Sequence, residues 1–302
     1  MTTVVTEPIT IEEPPRRTRR KLWITLAVIL GILVAALGIR MYQGFQILAS
    51  GERVNIGDRH IFLSCSGTGS PTVILEHGLG EMGFDWQTVK DSIDDTTRVC
   101  YTSRAGMGFS DRASGDGVRT MQDAVDDLSA VLAAGDVPGP YVMVGHSAGG
   151  LSARLFADQH PNDVVGMVLV DTTHEDMTRR IRESISAESW DEVSGFFGSE
   201  NGENMDLEAS SAEVAAIGDL GDMPLVVLFA AQQENEDPPR GISQKAVDEV
   251  NGLVGELESE LQADLATLST NGTLVVVEDS GHFIHVDRPD AVIDAINSVL
   301  AG

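Results

Sequence analysis

From residue 53 onwards, short apolar runs alternate with stretches of helical character. Runs that are apolar at nearly every position are typical of strands buried on both faces of a sheet. Eight strands are predicted in this way, at residues 54–56, 61–64, 72–75, 98–102, 141–144, 165–170, 225–229 and 273–277. Helices are predicted between them, for example at residues 121–134 and 151–160. This alternation predicts an α/β fold with a mostly parallel, doubly wound sheet and helices on both faces.

An uncharged apolar run occupies residues 22–39. As a helix it would be about 27 Å long, close to the thickness of the hydrocarbon core of a bilayer. Five basic residues lie directly before the run and favour a cytoplasmic amino terminus: Arg16, Arg17, Arg19, Arg20 and Lys21. We therefore expect a cytoplasmic basic tail at residues 1–21, a single-pass transmembrane anchor at 22–42 and an extracytoplasmic body. A cleaved signal peptide and a buried core helix are the alternative interpretations.

The charge of the chain limits its partners. The formal net charge is −27, and six of the 20 basic residues fall within the first forty positions. A body this acidic repels phosphate backbones, so we expect no nucleic-acid partner. With 42% hydrophobic residues, the chain has enough apolar side chains for one large core.

The alternation of strands and helices is interrupted at about residues 172–223, here called the insertion. It is acidic, contains many Ser and Gly residues, and has helical patches at 177–186 and 189–197. We expect the insertion to form a helical lid over the site. A loosely ordered surface excursion is the alternative.

The strongest chemical signal is Gly145-His146-Ser147-Ala148-Gly149, which directly follows a predicted strand and precedes a predicted helix. In this context G-x-S-x-G places the serine in a tight turn above the sheet, where side chains at the two glycine positions would collide. The following helix supplies a positive dipole and the Ala148 amide for an oxyanion. The pattern therefore predicts a nucleophilic Ser147; a glycine-rich turn without catalysis is the alternative.

A serine nucleophile needs a histidine base. His282 lies in the loop after the last predicted strand, where it reaches the same sheet edge as Ser147, whereas the alternative His285 begins the approach to the final helix. After the third strand, His77-Gly78-Leu79-Gly80 offers the Leu79 amide as a second oxyanion donor, unless these glycines form only a flexible turn.

These motifs, with residues 101–111 and Ser280-Gly281-His282, resemble the α/β-hydrolase superfamily over about residues 52–302. The resemblance implies an eight-stranded sheet whose second strand runs antiparallel beside the fourth. The residues alone leave Cys65 and Cys100 either joined or as two buried thiols, and this strand order makes them plausible disulfide partners.

The resemblance also implies an acid that orients the histidine, usually after the seventh strand. No aspartate stands directly there, and the nearest acids are Glu234 and Asp237. Some members carry the acid after the sixth strand, where this chain has Asp171, and we favour that residue over the other two.

The sequence thus predicts a serine hydrolase that acts on carboxylic esters or related acyl compounds through an acyl-enzyme. Its partners would be a small-molecule ester or lipid-like substrate and, through the amino-terminal helix, a membrane. No cofactor or metal is expected, because the histidines are scattered without ligand spacing. The alternatives are an acyltransferase or perhydrolase of the same fold, and a non-catalytic surface-binding module.

Overall fold

The computed structural model describes residues 28–30, 32, 50–115, 117–198, 203–232 and 241–302. The chain divides into two units, Met1–Ala49 and Ser50–Gly302, and the second contains the sheet. Within the described residues, no helix combines the length and the apolar character needed to cross a bilayer. The expected tail at 1–21 and nearly all of the expected anchor at 22–42 lie outside the described residues. Both therefore stay predictions.

Eight strands form one sheet: β1 (Glu52–Asn55), β2 (His60–Ser66), β3 (Thr72–Glu76), β4 (Val99–Ser103), β5 (Tyr141–His146), β6 (Val164–Val170), β7 (Leu225–Ala230) and β8 (Gly272–Val277). Their order across the sheet is β1-β2-β4-β3-β5-β6-β7-β8. Strand β2 runs antiparallel to both β1 and β4, and all other neighbours are parallel. The predicted strands and the antiparallel placement of the second beside the fourth are confirmed, with bounds that differ by up to two residues.

Nine helices accompany the sheet within the described residues: α1 (Gln87–Ile93), α2 (Met121–Ala134), α3 (Gly149–Gln159), α4 (Met177–Ser184), α5 (Ala187–Phe197), α6 (Leu207–Val214), α7 (Gln244–Ala266), α8 (Ile284–Asp287) and α9 (Pro289–Ala301). Successive side chains of a strand point to opposite faces. Along β3, Val73 and Leu75 pack towards α1 and α9, whereas Ile74 packs with residues of α2 and α3. Both faces of the sheet are therefore covered, as the apolar runs predict.

Cys65 on β2 and Cys100 on β4 stand directly opposite each other in the antiparallel register, and the two form a disulfide. The bond ties the antiparallel edge of the sheet to its parallel centre, across 35 residues of sequence. This is the pairing that the strand order of the resembled family makes plausible.

The insertion contains α4, α5 and α6, which confirms both predicted helical patches. Ile181 of α4 packs on Leu257 and Leu261 of α7. Further along, residue 205 forms a β-bridge with Arg119, and the Asp206 amide donates to the Arg119 carbonyl. These contacts hold the insertion against the body, and its role as a lid stays a prediction.

Candidate active site

Ser147 sits between the end of β5 and the start of α3, in the left-handed region with φ 50°. A Cβ on Gly145 would lie 2.5 Å from the carbonyl oxygen of Gly149. A Cβ on Gly149 would lie 2.5 Å from the carbonyl oxygen of Glu76. The chain can make this turn only with glycine at both positions, and a non-glycine residue in such a conformation is strained. Strain of this kind is typical of functional sites.

Asp171 directly follows β6, which is the neighbour of β5 in the sheet. Its carboxylate is buried, and its Oδ1 accepts a hydrogen bond from the Ala230 amide at 2.9 Å. Its Oδ2 lies 2.7 Å from Nδ1 of His282, in the loop after β8. Because the partner is a carboxylate, Nδ1 donates, and Nε2 of the neutral ring keeps the lone pair that can accept a proton. Of the other two candidate acids, Glu234 and Asp237 both lie outside the described residues.

The pKa of His282 responds to two opposed effects. Burial lowers it, but the hydrogen bond and the charge of Asp171 outweigh burial and raise the pKa above its usual value. Glu258 and Glu81 raise the pKa further through their charges. The imidazolium that forms when a histidine accepts a proton is therefore stabilised at this position.

The backbone of His282 is fixed beside the elbow. Nε2 of His146 donates to the carbonyl oxygen of His282 at 2.8 Å, and the two rings lie 4.6 Å apart between centroids. Since His146 precedes Ser147, this contact brings the base loop next to the candidate nucleophile. Among the described residues the Ser147 hydroxyl makes no hydrogen bond. Hydrogen bonds of catalytic groups often form only with substrate bound.

Two backbone amides remain available at the site. Ala148 is the N-cap of α3, and Leu79 lies in the loop of residues 77–81 after β3. Within the part of the chain that the structure describes, neither amide donates a hydrogen bond. On either side of Leu79, the Gly78 amide donates to Glu81 and the Gly80 amide donates to Glu203. The amides predicted to hold an oxyanion are thus the ones that protein groups leave unused.

A buried ion pair that the sequence did not predict supports the loop of residues 77–81. The guanidinium of Arg104 donates to the carbonyl oxygens of His77 and Gly78, each at 2.6 Å. It also donates to both carboxylate oxygens of Glu203, at 2.8 and 2.7 Å. Burial raises the pKa of Glu203, but the charge and hydrogen bonds of Arg104 dominate and lower it to about 2. Glu203, which belongs to the insertion, therefore helps to hold this loop in place.

His285, the alternative base, is buried and packs on Trp86, with 4.4 Å between ring centroids. Burial, followed by the charge of His146, lowers the pKa of His285 to about 3. Its Nε2 lies 3.9 Å from a carboxylate oxygen of Glu81. The structure thus places His285 in a buried polar cluster, and His282 beside Asp171.

Comparison with known proteins agrees with this architecture. A family model described as alpha/beta hydrolase fold matches residues 71–260. The uncharacterized protein YqjL of Bacillus subtilis (strain 168) is 27% identical over 249 residues, which make up 77% of this chain and 85% of that protein. A solved thermophilic esterase from Thermogutta terrifontis has a TM-score of 0.55 and 22% identity, and covers 83% of this chain and 98% of its own. A solved membrane phospholipase A has a TM-score of 0.58 and 19% identity, and the match covers 95% of this chain and 99% of that one.

The family match spans more than half of the chain, so the chain belongs to the α/β-hydrolase fold family. Its relatives and structural neighbours include proteins described as lipases, esterases and hydrolases, which supports a hydrolase. The shared regions cover between 15% and 85% of the length of the curated relatives compared. Which bond the enzyme cleaves does not follow from these comparisons.

Proposed function

We propose that the enzyme is a serine hydrolase of carboxylic esters or related acyl compounds, with Ser147 as nucleophile, His282 as base and Asp171 as the acid. One observation carries the proposal: the buried Asp171 carboxylate holds Nδ1 of His282 at 2.7 Å, beside a serine in a strained turn. A base, a group that orients it and a serine nucleophile are the parts that serine hydrolases use, which supports the proposal.

The reaction begins when Oγ of Ser147 attacks the carbonyl carbon and its proton passes to Nε2 of His282. The amides of Leu79 and Ala148 hold the resulting oxyanion, and the dipole of α3 adds to its stabilisation. His282 then returns the proton to the departing alcohol as the ester bond breaks, which leaves an acyl group on Ser147. Water, deprotonated by His282, attacks that acyl group, and the acid leaves with Ser147 protonated again.

Negative charge around the base favours neutral over anionic substrates. Glu258 and Glu81 both act on His282 through their charges, and the insertion is itself acidic. We propose that the insertion covers the site as a lid, and that Glu203 connects it to the loop of Leu79. An anionic acyl or alcohol group would be repelled on approach, with a strength that falls as salt rises.

A membrane location would present such an enzyme to lipid-like esters. We propose that residues 22–42 anchor the chain, with 1–21 in the cytoplasm and the catalytic body, residues 52–302, outside it. The support is the uncharged run and the basic cluster before it. Cysteine-directed labelling in intact cells tests this with an added cysteine at residue 3 or at Gly302, since only the outward end would react with an impermeant reagent.

The test of the proposed activity is hydrolysis of neutral p-nitrophenyl esters by the full chain, compared with Ser147→Ala and with Ser92→Ala. Within the described residues, the Ser92 hydroxyl donates only to the Thr88 carbonyl of its own helix, so its loss is a matched control. We expect Ser147→Ala to lose at least about a thousandfold in kcat and the control to keep it. Equal rates in the two variants would refute the proposal. Acyl transfer to added methanol in preference to water would instead indicate an acyltransferase.

A further inference from the structure

A buried cluster lies behind the elbow, and none of its members is the nucleophile, the base or an oxyanion donor of the proposed hydrolysis. Glu81, His146 and His285 each direct one ligand atom inward, and the three atoms lie within 4.8 Å of one another. The side chains of both histidines are fully buried, and that of Glu81 is 11% exposed. The residues come from three separate segments: the loop of residues 77–81, the end of β5 and α8.

The nitrogens of this cluster are unsatisfied. Neither ring nitrogen of His285 has a hydrogen-bond partner in the described structure, and neither has Nδ1 of His146. Buried polar atoms without partners cost about 1–3 kcal/mol each, so native proteins rarely keep several of them together. Three such nitrogens around one carboxylate therefore indicate a group that they bind.

The contact between His146 and Glu81 shows that this position calls for positive charge. Nδ1 of His146 lies only 2.7 Å from Oε1 of Glu81, but without the geometry of a hydrogen bond. Meanwhile Nε2 of His146 donates to the carbonyl oxygen of His282, so in the neutral ring the lone pair is on Nδ1. A lone pair and a carboxylate oxygen this close need positive charge between them, and either a proton on Nδ1 or a bound metal ion supplies it.

We propose that Glu81, His146 and His285 bind a divalent transition metal, with Zn²⁺ as the best match to the donor set. Two imidazole nitrogens and one carboxylate oxygen are ligands that zinc prefers. Zinc bonds of about 2.0–2.2 Å at tetrahedral angles place ligand atoms about 3.4 Å apart. In the cluster, Nδ1 of His146 lies 2.7 Å from Oε1 of Glu81, and Nε2 of His285 lies 3.9 Å from Oε2. These two distances lie on either side of the tetrahedral value.

The atoms around the ligands are also those expected of a metal site. Ligating histidines usually donate their other ring N–H to a carbonyl, as His146 does to His282, and ligating carboxylates are themselves hydrogen-bonded. Here the Gly78 amide donates to Oε2 of Glu81 at 2.7 Å. The ion would join the loop of Leu79, the elbow and the base loop. It is a structural site, and its existence does not depend on the proposed hydrolysis.

The test is calorimetric titration of the full chain with Zn²⁺ after removal of metals by a chelator. We expect about one ion per chain, with a dissociation constant of 1 μM or tighter, to bind the wild type. In His285→Asn the affinity should fall at least about tenfold, and in His285→Cys it should stay within about threefold, because a thiolate also binds zinc. His160→Asn is the matched control, since His160 contacts Ser129 and lies outside the cluster.

Circular dichroism establishes that each variant is folded before its affinity is compared. Because the surface is acidic, zinc uptake that His285→Asn retains in full would be adventitious and would overturn the proposal. A folded wild type that binds no zinc would overturn it as well, and would leave His146 and Glu81 as an ion pair. The visible absorption of the Co²⁺-loaded wild type tests the site without variants. Co²⁺ bound by two histidines absorbs visible light far more strongly than Co²⁺ on surface carboxylates.

Discussion

Replacing Glu203 with glutamine removes one charge from the ion pair that supports the loop of Leu79. The carboxylate is 1% exposed, and it faces the guanidinium of Arg104, which is 3% exposed. Glutamine has nearly the same volume and keeps one acceptor oxygen, so the packing is preserved. The change therefore isolates the effect of leaving Arg104 buried without its charged partner.

The size of the effect follows from the pKa of Glu203, which is lowered from 4.5 to about 2. One pKa unit corresponds to about 1.4 kcal/mol, so the ionised carboxylate stabilises the fold by roughly 3 kcal/mol at pH 7. Breaking a buried pair by removing one partner typically costs about 3–5 kcal/mol. The two estimates agree, and we expect Glu203→Gln to lower the free energy of unfolding by about 3 kcal/mol.

The pH dependence provides a second signature. A carboxylate with a lowered pKa in the folded state stabilises the protein above its unfolded pKa, and this contribution is lost as pH falls through the folded pKa. The difference in unfolding free energy between wild type and Glu203→Gln should therefore be constant above about pH 5.5. It should shrink between about pH 4.5 and about pH 2, the folded pKa of Glu203. Urea unfolding followed by circular dichroism at several pH values measures it.

Glu208→Gln is the matched control, because Glu208 pairs with Arg182 while both side chains are about half exposed. An exposed pair contributes under about 1 kcal/mol, so this variant should unfold close to the wild type. If Glu203→Gln matched Glu208→Gln within about 1 kcal/mol at pH 7, the buried pair would not support the fold as argued.

Three further predictions follow from the site and the sheet. Asp171→Asn should lower kcat by about 10⁴-fold with the fold retained, because it removes the carboxylate that orients His282. Steady-state ester kinetics measure kcat and KM separately, and a variant that stays active would point to another acid. Gly149→Ala should give a destabilised, inactive protein, because its Cβ would lie too close to the Glu76 carbonyl oxygen. Gly252→Ala, in open space on α7, should instead raise the thermal midpoint by an amount worth up to about 1 kcal/mol, and similar midpoints for the two variants would contradict this reasoning. Replacing Cys65 and Cys100 by serine should cost about 4 kcal/mol in urea unfolding, given the 35-residue loop that the disulfide closes, and the reduced wild type should match the variant.

The centre of the sheet could be predicted from the sequence because its strands are buried on both faces. Residues 165–170 are apolar at nearly every position, and β6 covers the same run. The bounds of β1, the edge strand, and of β2 differ most from the prediction. In β1 three of four residues are exposed and the apolar pattern is short. The order of the strands came from the resemblance to a known family, since local patterns carry no information about which strands pair.

The part of the site that could be predicted consists of residues directly after strands. Ser147 and Asp171 follow β5 and β6, and chain order alone brings them to one edge of a parallel sheet. Glu203 could not be predicted, because its contact with Arg104 joins residues 99 positions apart through the packing of the insertion. The cluster around Glu81 was missed for the same reason: its ligands show no local spacing, and only the folded chain brings them together.

The central claim, that Ser147 is an activated nucleophile, is tested most directly by reacting the purified full chain with a fluorophosphonate and locating the adduct by peptide mass spectrometry. We predict a single adduct on Ser147, none in Ser147→Ala, and labelling at least about a hundredfold slower in His282→Ala. An adduct on a different residue, or a folded and unreactive wild type, would contradict the claim.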